Sequence, residues 1–415
     1  MHFKARAVLF ALIIAGIVSI LSGAVVRLSA LNAFRWEIVQ FESDQQRLER
    51  SAWVYLRALE ATEPFAAWVD VHENQRDSVY LGTDQWGLMA YSWSNIPGNS
   101  NLGVVPISKT GFWNFPSPPQ FRQVALYLAD QNRLLAMVGN ARIAGTAYLP
   151  KAGARRGSIH GQHFHGQRFV EGETKISKYQ LPSIDLDVKR HLQYLKTKAR
   201  TLSTSPYQST IQQSFLDSTY VLRSAEWNLN QVNWSGKIWV VATDSIVVNA
   251  DANLDQVILM APSIRFKGGF KGSVQAFASQ QLIVETGVQL NYPSILGFLD
   301  EDPQEKGQFT IASKAKIQGL IWAEANFISG KKASIHLHES GEVEGWIYTK
   351  LPIDLAGTIK GSLFCERLFV KRDGALYDNH LLDGQLLVHQ RNQWLDWPLM
   401  RAGQGVEKQI MQWTE

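Results

Sequence analysis

The chain of 415 residues carries 41 basic and 37 acidic side chains, which gives a formal net charge of +4. A charge this balanced lacks the basic excess of nucleic-acid-binding proteins, so no nucleic-acid partner is expected. The length exceeds a single ordinary core and predicts two or three units, unless a repeat architecture carries much of the chain. The one cysteine, Cys365, excludes an internal disulfide and is expected to be a small buried residue of a strand.

The N-terminal segment predicts a transmembrane anchor over residues 1–28. Ala7–Val26 contains no charged residue, and twenty residues at about 1.5 Å each match a hydrocarbon core of about 30 Å. Lys4 and Arg6 precede it, so the positive-inside rule favours a cytoplasmic N-terminus and a periplasmic location for most of the chain. The alternative is a cleaved signal peptide, because Ser22-Gly23-Ala24 has the small residues of a cleavage site.

A heptad pattern continues the helix over residues 29–63, where neither proline nor glycine interrupts the chain. Core-like positions recur at spacings of three and four, at Leu31, Phe34, Ile38, Phe41, Gln45, Leu48, Ala52, Tyr55 and Leu59. One interpretation is an amphipathic helix that packs on its own domain. The other is a stalk that pairs with other helices into an oligomer, with Gln45 selecting the register.

Short apolar runs separated by turn residues follow in residues 64–134. Ser78–Leu81 and Trp86–Tyr91 have the composition of strands, and Pro97 and Gly98 are typical of the turns between them. We expect a small antiparallel β domain close to the membrane.

A triplet of an apolar residue, any residue and glycine recurs through residues 135–370. Its glycines are Gly145, Gly161, Gly172, Gly272, Gly319, Gly345 and Gly361. Apolar residues also recur every 18 residues, in the series Ile246, Ile264, Leu282 and the series Ile317, Ile335, Ile353. A β-solenoid stacks coils of short strands, so each apolar position recurs once per coil. The alternative is a β-sandwich, whose strands alternate without such a period.

The repeat is interrupted in the middle of this region, and a helical insertion is predicted there, at about residues 176–231. Ser183 is a suitable N-cap for its helix. The tail at residues 371–415 is expected to cap the final coil. The predicted fold is mainly β: a transmembrane helix continuing into an amphipathic helix, a small antiparallel β domain, and a β-solenoid (β-helix) with a helical insertion.

The closest approach to a metal-binding pattern is the group His160, His163 and His165, since three imidazoles within six residues can surround a zinc ion. On a strand, His163 and His165 share one face while His160 lies on the other, so convergence needs a turn. We therefore expect a polar rim, with no metal and no other cofactor. Aspartates such as Asp244 and Asp251 do not recur with the coil length, and no nucleophile or phosphate-loop motif is present, so no enzyme is expected.

Tryptophans give an alternative function. The candidates are Trp239, Trp322 and Trp346. Trp322 and Trp346 alternate with the apolar neighbours Ile321 and Ile347, so they are predicted to point away from the coil interior. Aromatic faces that stand outward bind sugar rings well, which predicts a glycan- or peptidoglycan-binding module of the envelope.

Two adjacent segments, Ala125–Asn132 and Gly139–Pro150, resemble an uncharacterised family of single-span envelope proteins in Bacteroidota, and Trp86–Leu88 and Tyr377–Leu382 fit the same pattern. This resemblance implies an association with pilin-like or type II secretion-like machinery. The repeats separately resemble those of bactofilins, cytoskeletal β-solenoids that polymerise end to end. The chain departs from the prepilin pattern, because no glutamate follows a processing-site glycine within the span.

These patterns together predict a non-enzymatic structural or assembly subunit of a bacterial cell envelope, either a pilin-like or a secretion-apparatus component. We expect a single-pass protein of the inner membrane that binds other envelope or pilin-like proteins through its periplasmic part. The glycan-binding module is the alternative.

Overall fold

The computed structural model describes residues 2–59, 64–71, 78–114, 118–184, 186–201, 203–300, 307–325, 333–391 and 409–414. The chain forms two compact units. The first comprises Met1–Asp84, Tyr91–Gly111 and Trp413–Glu415, and the second comprises Gln85–Ala90 and Phe112–Gln412. The mainly β composition, the N-terminal apolar helix and a small antiparallel sheet are confirmed.

The elements are numbered in chain order. Those up to residue 201 are α1 His2–Ala58, β1 Phe65–Asp70, β2 Ser78–Trp86, β3 Met89–Ile96, β4 Ile107–Asn114, β5 Val124–Leu128, β6 Leu135–Val138, β7 Arg142–Ala144, β8 Thr146–Leu149, β9 Ala154–Arg156, β10 Ser158–Ile159, β11 Gln162–His163, β12 Thr174–Ile176 and α2 Leu186–Thr201. Those that follow are β13 Thr210–Gln213, β14 Tyr220–Leu229, β15 Asn233–Gly236, β16 Ile238–Val248, β17 Asn253–Phe266, β18 Lys271–Val284, β19 Gln289–Asp300, β20 Gln308–Ile311, β21 Lys316–Ala325, β22 Ser334–Leu337, β23 Glu342–Thr349, β24 Ile353–Leu355, β25 Thr358–Cys365, β26 Phe369–Arg372, β27 Ala375–Asp378, β28 His380–Leu382, β29 Gln385–Leu387 and β30 Gln409–Thr414.

Helix α1 is exposed at its start and packed at its end. Residues 7–37 are exposed, and the helix is long and apolar enough to cross a membrane. Farther along, Leu56 is buried, and the buried amide of Gln45 donates hydrogen bonds to the carbonyls of Pro97 and Val105. Gln45 therefore binds within its own unit, as the interpretation of an amphipathic helix packed on its own domain requires.

The sheet that runs through the first unit has the strand order β1-β2-β3-β4-β30. Trp413 of β30 packs edge to face on Trp53 of α1, with ring centroids 4.6 Å apart. The Lys109 ammonium lies 4.0 Å from the Trp413 ring and 2.6 Å from a carboxylate oxygen of Glu49. The end of the described chain is thus fixed to the last turns of α1.

Most strands of the second unit pair in parallel with other strands of the same unit. We call this set the parallel stack and each of its strands a rung. Its strands are β5, β7, β8, β12 to β25 and β29. Ile246, Ile264 and Leu282 lie opposite one another on three successive rungs, at the predicted interval. Their side chains and the matching positions of other rungs form one buried apolar core.

The second predicted series follows a different path. Ile317 lies opposite Val343, and Ile335 lies opposite Ile353, so only the last step of that series joins two rungs. Ile317 and Ile335 belong to β21 and β22, which follow one another in the sequence and pair with β23 and β24. The parallel pairing also differs from the antiparallel pairing expected of a β-sandwich.

Three predicted boundaries differ from those that the structure shows. Rungs begin at Val124 instead of residue 135, because β5 pairs with β25 and β8. Residues 210–229 form rungs β13 and β14 within the predicted helical insertion, whose only described helix is α2. Rung β29 pairs with β25 on one side and β7 on the other, so this part of the tail lies inside the stack and does not cap it. Residues 392–408 lie outside the described part of the tail.

Rungs from both ends of the sequence therefore meet in one stack. Along one side the order is β14, β16, β17, β18, β19, β21, β23, β25, β5, β8 and β12, which at about 4.8 Å per step spans about 48 Å. Ile176 and Thr210 lie at opposite ends. We call residues 177–209, which include α2, the connecting segment, since they join these ends.

Candidate functional site

The three candidate tryptophans are not available for binding. Trp239, Trp322 and Trp346 are 2%, 1% and 5% exposed. Trp346 alternates with Ile347, which lies in the interior core, so its side chain points outward as predicted. The prediction of an exposed aromatic face is wrong, because all three indoles are buried.

The connecting segment and the tail contact the outer side of β23. The hydroxyl of Tyr348, which lies opposite Trp322 in the stack, donates a hydrogen bond to the Pro182 carbonyl at 3.0 Å. Trp346 stacks on Phe364 with centroids 5.4 Å apart, and the Arg391 guanidinium lies 5.0 Å from the indole ring. Sugar rings therefore have no access to these indoles.

Residues 85–90, between β2 and β3, cover another part of the outer side. Gln275 of β18 is fully buried, and its amide donates to the Trp86 carbonyl at 2.7 Å while accepting from the Leu88 amide at 2.8 Å. The Trp86 indole donates to the Gln256 carbonyl at 2.6 Å. The Gln275 side chain thus makes, with the backbone of Trp86 and Leu88, the two hydrogen bonds that the backbone of a neighbouring strand would make.

The histidines do not converge. His160 lies 3.2 Å from the Tyr377 hydroxyl through Nε2, whereas His165 lies 3.2 Å from Asn140 Oδ1 through Nδ1. His163 is exposed at the end of β11. Within the described residues, no three His, Cys, Asp or Glu side chains are placed to hold a metal ion. Cys365 is fully buried, and burial raises the pKa of its thiol above the usual range.

Three of the seven triplet glycines lie in register. Gly319, Gly345 and Gly361 are opposite one another on β21, β23 and β25. A Cβ built on Gly345 would lie 2.0 Å from the carbonyl oxygen of Gly319. Their role is close approach between rungs, whereas interior packing was expected. The other four triplet glycines, Gly145, Gly161, Gly172 and Gly272, lie outside this series.

Gln318 and Glu344, the middle residues of two of these triplets, line a groove that was not predicted. The groove has a volume of about 250 Å³ and lies across β19, β21 and β23. Its lining residues are Gln289, Leu290, Asn291, Lys316, Ile317, Gln318, Glu342 and Glu344. Strand alternation turns the polar members outward, while Leu290 and Ile317 also belong to the interior core.

Some groove side chains are held by partners and others are free to bind. The Gln318 amide donates to Glu344 at 2.9 Å, and Lys360 on the next rung pairs with Glu342 at 2.9 Å. By contrast, the side chains of Gln289, Asn291 and Lys316 make no hydrogen bond or ion pair with any residue that the structure describes. The groove therefore combines a fixed wall with three unused polar groups.

No protein-family model matches the chain, and comparison with characterised proteins and with solved structures gives no match either.

Proposed function

We propose that the protein is a non-enzymatic structural or assembly subunit of a bacterial envelope, held by α1 in the inner membrane with its folded part in the periplasm. The observation that supports this is the continuity of α1. One helix is exposed and apolar over the length of a membrane span and then packs into the first unit at Gln45 and Leu56. Anchor and folded unit therefore share a single element.

The parallel stack supports the structural part of the proposal. We interpret it as a β-solenoid, because Ile317, Val343 and Ile359 lie opposite one another and their side chains share a continuous core. This continuous buried core makes it a stiff body suited to presenting a surface to protein partners. Pilin-like or secretion-apparatus proteins are the partners that the resemblance implies.

End-to-end polymerisation of the bactofilin kind is disfavoured at one end of the stack. On the terminal rung β14, the Val221 carbonyl accepts a hydrogen bond from the Ser205 amide, and the Val221 amide donates to the Ser205 hydroxyl. Ser205 belongs to the connecting segment. Covering the edge at Val221 in this way blocks pairing with another chain at that position.

Cysteine labelling of the full-length protein in its membrane tests the location. Cys365 does not compete, since it is fully buried. Asn101→Cys and Lys371→Cys place single thiols at exposed positions of the first and second units. Both should react with a membrane-impermeant maleimide once the outer membrane is permeabilised, and carbonate washing should leave the protein in the membrane. Labelling only after the inner membrane is broken, or release by carbonate, would contradict the proposal.

Partner binding is tested by cross-linking in cells followed by detergent extraction. The same exposed thiols can carry a photo-activated cross-linker on either unit. We expect adducts with other envelope proteins from Lys371→Cys on the second unit. Recovery of the protein only as an unlinked monomer from every labelled position would count against an assembly role.

A further inference from the structure

We propose that the groove across β19, β21 and β23 binds an uncharged glycan chain. This inference is independent of the proposed scaffold role and of the buried tryptophans. It depends on the charges of both signs at the groove and on the unused hydrogen-bonding groups that line it.

Charges of both signs lie at the groove. Lys316, Glu342 and Glu344 line it, and Lys360 on the next rung forms an ion pair with Glu342. A polyanion would meet Glu342 and Glu344, and a polycation would meet Lys316 and Lys360. An uncharged ligand avoids both repulsions, and its polar atoms still find donors and acceptors.

The unused groups match hydroxyl and acetamido chemistry. An amide side chain donates through nitrogen and accepts through oxygen, and an ammonium donates three hydrogen bonds. Gln289, Asn291 and Lys316 thus offer both kinds of group, while the Gln318–Glu344 bond holds the neighbouring wall in place. Sugar hydroxyls also donate and accept, so they can pair with every one of these groups.

The surroundings of the groove fit an extended ligand. On the two sides of the groove, Lys271 lies opposite Gln289, and Thr358 lies opposite Glu342. These four positions lie on β18, β19, β23 and β25, along one side of the stack. Neighbouring rungs on that side are about 4.8 Å apart. The polar strip they form continues beyond the groove, so a chain longer than the groove finds further polar contacts along the stack.

The test is isothermal titration of the full-length protein in detergent with two neutral probes, an N-acetylglucosamine hexamer and maltohexaose. A polygalacturonate oligomer serves as the anionic comparison. We expect binding of at least one neutral probe and no binding of the anionic one. In the variant Gln289→Ala/Lys316→Ala, affinity should fall at least tenfold. Lys371→Ala, on an exposed strand outside the groove, is the matched control and should bind as the parent protein does.

Thermal melts accompany each titration, because a misfolded variant would lose binding for another reason. Asn291→Ala is the second groove variant, and its loss of affinity with an unchanged melt supports the site. Three results would overturn the proposal: no binding of either neutral probe at millimolar concentration, tighter binding of the anionic probe, or unchanged affinity in folded groove variants. None of them bears on the labelling test of the scaffold role, so the two proposals fail separately.

Discussion

Gly345 shows how closely neighbouring rungs approach. Its φ is +136°, and an added Cβ would lie 2.0 Å from the Gly319 carbonyl oxygen. We expect Gly345→Ala to lower the free energy of unfolding by about 1–3 kcal/mol, since backbone must move apart. Gly287→Ala is the control, because Gly287 also has a positive φ but a Cβ there meets nothing within 4 Å. Equal melting temperatures for the two variants would contradict the close-approach role.

Glu366 is expected to destabilise the fold when it ionises. Burial raises the pKa of this carboxyl above its usual range, and the negative charge of Glu324 adds to the shift against the opposing effect of Lys350. A folded-state pKa above the unfolded value means that the stability contribution is present in acid and is lost as the pH rises through the folded pKa. Glu366→Gln should therefore raise the melting temperature at pH 7 and leave it nearly unchanged at pH 4.

Glu285 provides the opposite case. Partial burial acts to raise its pKa, but hydrogen bonds from the Gly268 amide, Lys267 and Arg265 outweigh it and lower the pKa. Its contribution to stability is present at neutral pH and is lost as the pH falls through the folded pKa. Glu285→Gln should lower the melting temperature at pH 7 and lose its effect in acid. If both glutamine variants shift the melt in the same direction at pH 7, these electrostatic assignments are wrong.

The link between residues 85–90 and β18 depends on one side chain. Gln275→Ala removes the side-chain amide that donates to the Trp86 carbonyl and accepts from the Leu88 amide. Each buried group left unsatisfied costs about 1–3 kcal/mol. A fall in thermal stability and faster hydrogen exchange at Leu88 are expected. Gln281→Ala, on the half-exposed end of the same strand, should change stability by no more than about 0.5 kcal/mol. Unchanged exchange at Leu88 in Gln275→Ala would show that other contacts hold this turn.

The stacking of the strands could be predicted from the sequence, whereas the burial of their outer side could not. The triplets at Gly319, Gly345 and Gly361 showed which turns stack, and their middle residues, Gln318, Glu344 and Lys360, could have indicated the polar strip. The outward direction of Trp346 was also readable from alternation. Its burial was not, because the cover comes from Arg391 and other residues that carry no local signal of where they pack.

At the scale of the whole molecule, the position of β29 is the feature least accessible to sequence reading. It pairs with Ile359 on one side and Ile143 on the other, and no repeat period connects such distant residues. The interior apolar pattern of residues 385–387 was compatible with either a cap or an inner rung. Only the pairing partners distinguish these arrangements.

Truncation tests the inner position of β29. A chain that ends at Asn379 lacks β28 and β29, and we expect the amides of Val124–Leu149 to lose protection in hydrogen exchange, since β6 and β7 lose their neighbours. A chain that ends at Arg391 keeps both strands and is the control. Full protection of Val124–Leu149 in the shorter chain would mean that this part of the stack is stable without β29.

The joining of early and late strands also governs when the protein can fold during synthesis. The Arg122 carbonyl receives a hydrogen bond from Arg391, 269 residues later, and Leu126 lies opposite Leu363. Residues 124–176 leave the ribosome well before residues 363–391, but they cannot complete their pairing until nearly the whole chain has been made and, in the proposed location, exported. Contacts this distant in sequence form slowly. The exported chain would therefore spend time with an unpaired, apolar strand edge, and a periplasmic chaperone that shields such edges should increase the yield of folded protein.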